Sequence, residues 1–181
     1  MMSDQELLNV LENGGQIPVP YFDGNMIDID GGDLSPAETL PALKNFLTLT
    51  PKERRSDARH LVAYCKMMVD AVGEEILEDV GGVEPTEETI WKYVSVSHIF
   101  FGKLKAGKYV AEPTVFVQLE GNVTWEPEHG LQMSWAHGNR LVKVSEFDGH
   151  PTNGHASADP SRGTYVFSCY REDLCTFPDP V

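Results

Sequence analysis

The chain has 181 residues, 41 % of them hydrophobic and 23 % charged, which suits one packed core and excludes disordered, collagen-like and disulfide-scaffold classes. Acidic residues outnumber basic ones 28 to 14, for a formal charge of −14. That sign repels nucleic-acid phosphates and anionic membranes, so neither is expected as a partner.

The first residues carry no basic stretch followed by an apolar one, so no secretory leader is read. No run approaches the roughly 18 apolar residues of a membrane span. Helix signals come first along the chain. Ser3-x-x-Glu6, Ser35-Pro36-x-Glu38 and Thr50-Pro51-x-Glu53 each set a hydroxyl three residues ahead of a glutamate, the pattern of a reciprocal cap. After Pro36, Leu40, Leu43 and Leu47 fall on one helical face. After Pro51, Leu61, Tyr64, Cys65, Met68 and Val72 mark a longer helix ending near Gly73, with His60 at its surface.

Charge is laid out in blocks. Residues 1–43 hold eight acids and no lysine or arginine, residues 44–72 six bases against three acids, and residues 73–89 seven acids and no base. Two readings follow: acidic loops facing a basic helix, or an acidic surface offered to a basic partner.

Beyond Gly73 the chain reads as strands at 90–101, 114–119, 131–135, 141–144 and 164–169, with one more hairpin available from 19–22 and 26–29. Early helices and late strands predict an α+β fold, with N-terminal helices packed on a mainly antiparallel sheet. One domain is expected over 1–181, with a loose tail at about 177–181. Cys65, Cys169 and Cys175 form an odd, sparse set without a CxxC pair, which suits reduced thiols and a cytoplasmic location. A 169–175 bridge is the alternative in an oxidising compartment.

Gly102-Lys-Leu-Lys-Ala-Gly107-Lys108 approaches a phosphate-binding loop, but Tyr109 stands where Ser or Thr would hold magnesium, so a basic hairpin loop is expected. GxGxxG, HExxH and GxSxG do not occur. Four of the six histidines, His129, His137, His150 and His155, lie within 27 residues. Gly138-Asn139 suits a two-residue turn that pairs His137 with Arg140, Trp135 with Val142 and Met133 with Val144. Leu131, Met133, Trp135, Val142 and Val144 then share one face, and Gln132, Ser134, Lys143 and Ser145 the other. Extending that register sets His129 opposite Asp148. Trp125, Glu128, His129, Asp148 and His150 thus form the candidate functional cluster. It reads as a structural His–Asp bond, as an acid–base pair, or as a zinc or manganese site on Glu128, His129, Asp148 and His150.

The Trp125-x-x-Glu128-His129-Gly130-Leu131-Gln132 core, the Gly138–Leu141 turn, Asp148-Gly149-His150 and Ile90-Trp-Lys-x-Val94 together resemble a bacterial family of unknown function, over about 21–155. Val123 stands where the resembled pattern carries Cys, so a Cys–His metal site is not implied here. The resemblance supplies no activity; by analogy it implies an immunity-like or other partner-binding role. The expected function is a non-enzymatic module that binds a basic protein, a toxin included, with no catalytic residue and no cofactor. The alternative is a metal-binding or metal-dependent hydrolytic domain on the hairpin. A third is a structural subunit whose Trp and Met face meets a second copy of itself.

Overall fold

A computed structural model describes residues 2–178. All three capping signals start a helix: α1 (Asp4–Asn13), α2 (Pro36–Phe46) and α3 (Pro51–Val72). In each, the glutamate accepts the backbone N–H of the cap residue, at 2.7, 3.3 and 2.8 Å respectively. α3 stops at Gly73, whose φ of 128° leaves helical space. The buried stripes differ from the expected ones. On α2, Thr39, Ala42, Leu43 and Phe46 face inward, while Leu40 and Leu47 are only partly covered. On α3 the buried set runs from Ala58 to Cys65, and Val72 is 53 % exposed. His60 is buried too, not a surface residue, because Thr176 of the C-terminal segment lies 2.6 Å from its Nδ1.

The strands are β1 (Gly15–Val19), β2 (Asn25–Ile29), β3 (Val94–Leu104), β4 (Thr114–Val123), β5 (Glu126–Ala136) and β6 (Arg140–Ser145). They form one sheet in the order 1-2-3-4-5-6, antiparallel throughout except where β2 meets β3. That parallel step requires a crossover, which α2, α3 and the four-residue helix α4 (Ile76–Asp79) provide. The α+β class therefore holds, with one correction: helices are not confined to the N-terminal part, since α5 (Asn153–Ala156) and two short 3₁₀ turns follow the sheet. Residues 90–93 form a 3₁₀ turn rather than the start of a strand. Residues 164–169 make only isolated bridges at Phe167, and the Asn153 amide also bonds the carbonyls of Tyr165 and Val166 at 3.0 and 2.9 Å. The basic segment 105–113 joins antiparallel β3 and β4, as a hairpin loop should. Cys65, Cys169 and Cys175 are free thiols.

One face of the sheet is apolar and packs under the helices. Trp135 meets Phe46 and Tyr21 with ring centroids 4.9 and 5.5 Å away, and Leu119, Leu131, Met133 and Val144 are fully buried beside it. The Trp and Met face is thus filled by this chain's own helices and is not open to a second copy. The other face carries Gln118, Gln132, Ser134 and Lys143, all buried as well, beneath the segment that follows β6.

The β5–β6 turn is also corrected. It has three residues, with Ala136 paired to Arg140, His137 at φ 52° and Gly138 at φ 85°. The turn docks on α2: Asn45 donates to the His137 carbonyl at 2.9 Å, and a Cβ on Gly138 would stand 1.9 Å from the Ala42 oxygen. A bulge then places Trp135 opposite Leu141, leaving Val142 as the extra residue. Because the longer turn and the bulge offset each other, Met133–Val144 is paired as expected.

Candidate functional site

The expected cluster divides into two groups at one end of this hairpin. The first is a corner in the β4–β5 ladder. Between the pairs Gly121–Leu131 and Val123–Glu126, the four residues 127–130 of β5 stand against Asn122 alone. Gly130 makes this fold-back feasible: its φ is 66°, and a Cβ there would lie 2.5 Å from the Gly121 oxygen. Tyr64 of α3 donates to the Gly130 carbonyl at 3.0 Å and pins the corner to the core. Trp125 sits beneath it, edge-on to Tyr64 with centroids 5.9 Å apart.

The fold-back gathers Glu126, Glu128 and His129 so that one ligand atom from each lies within 4.8 Å of the others. Glu126 is only 5 % exposed, and its Oε1 meets His129 Nδ1 at 2.7 Å. Its hydrogen bond and charge, with Glu146 and Glu128 adding to them, raise the pKa of the imidazole above its usual value. Burial pushes the Tyr64 hydroxyl up strongly, and the Glu126 and Glu146 charges push the same way.

The second group is a clasp. Asp148 does not meet His129: the loop reverses at Phe147, whose N–H bonds the His129 carbonyl at 3.1 Å, and Asp148 turns toward the polar face. Its carboxylate accepts from Lys143 and from the His150 N–H at 2.8 Å. Lys143 also donates to the His150 carbonyl at 2.8 Å. Gln132 accepts from the N–H groups of Asp148 and Gly149 at 3.1 and 3.0 Å, and donates to the His150 carbonyl and to Gln118 at 2.9 and 2.7 Å. Sheet side chains therefore hold the Asp148–His150 backbone in a fully bonded polar core. Burial lowers the pKa of Lys143, against the opposing pull of Asp148. The His150 and His155 rings meet through their Nδ1 atoms, 3.2 Å apart. Burial depresses His155, and the charges of His150 and Lys143 depress it further.

Of the five expected residues, the fold thus brings Trp125, Glu128 and His129 together and sets Asp148 and His150 in the clasp. Glu126, Gln118, Gln132 and Lys143 are the residues the sequence did not single out. The alternation of Gln132, Ser134 and Lys143 was the available signal, but it reads as a solvent face until the segment that covers it is known.

The acidic blocks also differ. In residues 1–43, Asp4 pairs with Lys44 at 2.8 Å, Asp23 with Arg54 at 2.6 Å and Glu38 with Lys103 at 2.8 Å. In residues 73–89, Ile76 and Val80 anchor the segment in the core and turn its acids outward. All seven acids are exposed, and among the described residues only Glu84 has a base within reach, Lys66 at 3.9 Å. Val72 and Val83 stand exposed beside them.

These features define an α+β domain with a polar clasp on one sheet face and an unneutralised acidic segment. Residues 5–151 match the family model described as Domain of unknown function (DUF6985), and the chain belongs to that family. No curated protein and no solved structure matches it. No helix among the described residues is long and apolar enough to cross a membrane.

Proposed function

We propose that this chain is a non-enzymatic module that binds a basic protein through the acidic segment 73–88. The observation that carries the reading is the exposure of seven carboxylates there with a single distant lysine for company. Like charges held together without partners cost stability in the free protein, and a basic partner relieves that repulsion on binding. Exposed Val72 and Val83 add apolar area at its edge. An immunity-like role against a basic toxin is one form this binding would take. In a capture experiment, a bound protein should be lost on reversing the charges of Glu74, Glu75, Glu78 and Asp79 together. The same protein should also be lost at about 1 M salt, where screening acts within about 3 Å. A captured protein indifferent to both treatments overturns the reading.

A second reading rests on the convergence of Glu126, Glu128 and His129. Two carboxylates and an imidazole suit zinc or manganese, and an open corner leaves room for water on the ion, as a hydrolytic site requires. Asp148 and His150, engaged in the clasp, play no part in this ligand set. Elemental analysis of untagged protein should find stoichiometric metal that His129→Ala loses while still folded. Metal-free protein whose melting temperature zinc and manganese leave unchanged overturns it.

A further inference from the structure

The sheet face that carries the clasp has an open cavity of about 350 Å³ farther along, between the loop after β2 and strand β3. Its walls are aromatic. Phe147 is 38 % exposed, its ring centroid 6.0 Å from that of Phe100, which in turn lies 5.5 Å from the His98 ring. An exposed phenylalanine on the loop that ends at the clasp is held in place, since its own N–H bonds the His129 carbonyl.

The charged lining is three carboxylates and one lysine, Lys103. Asp30 is fixed at the cavity mouth: its N–H joins the Ile99 carbonyl at 2.8 Å and its carboxylate accepts the Gly32 N–H at 2.9 Å. Asp33 and Glu120 complete the set. Among the described residues, no lysine or arginine pairs with these three carboxylates; Glu120 has only His98, at 3.8 Å. Lys103 is already engaged: it bonds Glu38 at 2.8 Å, and with Ser35 it holds that carboxyl down to about 2.

We infer that this cavity receives an arginine side chain of a protein partner, its guanidinium stacked on Phe147 and Phe100 and bonded to Asp33 or Glu120. A planar cation is the group that gains from an aromatic face and a carboxylate at once, since it stacks and presents paired donors. The inference is independent of segment 73–88, which does not line the cavity.

The probe is the capped tripeptide Gly-Arg-Gly, titrated while the ring signals of Phe100, Phe147 and His98 are followed by NMR. Saturable movement of these signals is expected. The citrulline tripeptide, equal in shape but uncharged, should bind about five-fold more weakly or worse, and Phe147→Leu and Asp33→Asn should each weaken the arginine peptide about three-fold. Charge reversal at Glu74, Glu75, Glu78 and Asp79 should leave the titration as it is in the unaltered protein. Ring signals that do not move, or a citrulline peptide that binds equally well, overturn the inference. So does unchanged affinity in both variants. A lysine tripeptide that binds as tightly overturns the choice of arginine.

Discussion

The corner at residues 126–130 and the clasp, against which His155 of α5 packs through His150, treat a histidine in opposite ways. At the corner, His129 is half in solvent and surrounded by Glu126, Glu128 and Glu146, so its charged form is favoured. Beside the clasp, His155 is partly buried and faces the charges of His150 and Lys143, so its neutral form is favoured. The lesson is that the protonation preference of a histidine here is set by what packs against it from other elements. The Glu-His-Gly string at 128–130 and the Asn-Gly-His string at 153–155 alone do not fix it.

The largest effect should come from breaking the clasp. Lys143→Met leaves the partly exposed Asp148 carboxylate without its ammonium partner and the His150 carbonyl without one of its two donors, and is expected to cost about 2 to 3 kcal/mol in urea denaturation. Adding Asp148→Asn should recover part of that loss by removing the stranded charge. An unaltered midpoint in the single variant would show that the clasp contributes no net stability. At the corner the expected cost is smaller. Tyr64→Phe deletes the bond to the Gly130 carbonyl inside the core and should lose about 1 to 2 kcal/mol by the same measurement.

The smallest effect sharpens the comparison most directly, because the two histidines should run in opposite directions with pH. His155 has a depressed pKa in the folded protein, so its stabilising contribution is complete above the ordinary value of about 6.5 and is lost as pH falls through the folded value. His129 has a raised pKa, so its contribution is complete below about 6.5 and is lost as pH rises through the folded value. Between pH 7 and pH 5, His155→Gln should therefore lose less melting temperature than the unaltered protein, and His129→Gln should lose more. Parallel changes in the two variants would remove the contrast between the sites.

Much of the fold was legible in residues that are close in sequence. The capping pairs Ser3–Glu6, Ser35–Glu38 and Thr50–Glu53 act over three residues, so no distant element can alter them, and each opens a helix. The apolar alternation from Leu131 to Trp135 likewise placed one face of β5 inward. The hairpin turn was misread for a tertiary reason. Gly138 and His137 are positioned by contact with Ala42 and Asn45 of α2, and nothing in Ala136-His-Gly-Asn-Arg140 announces that contact.

The candidate site was legible only in part. Glu128 and His129 are neighbours in sequence, but Glu126 joins them through a four-residue fold-back against Asn122. The expected meeting of His129 and Asp148 fails because Lys143 takes the Asp148 carboxylate while Gln132 accepts the Asp148 backbone N–H, both from the polar sheet face.

By itself, then, the sequence determined the helix starts, the α+β class, the alternation of the central hairpin and the net charge, since each follows from local spacing or from composition. The tertiary structure alone decided which acids are neutralised, which face of the sheet becomes a polar core and which groups surround each histidine. Those outcomes depend on contacts between segments tens of residues apart, where packing and desolvation outweigh local preference.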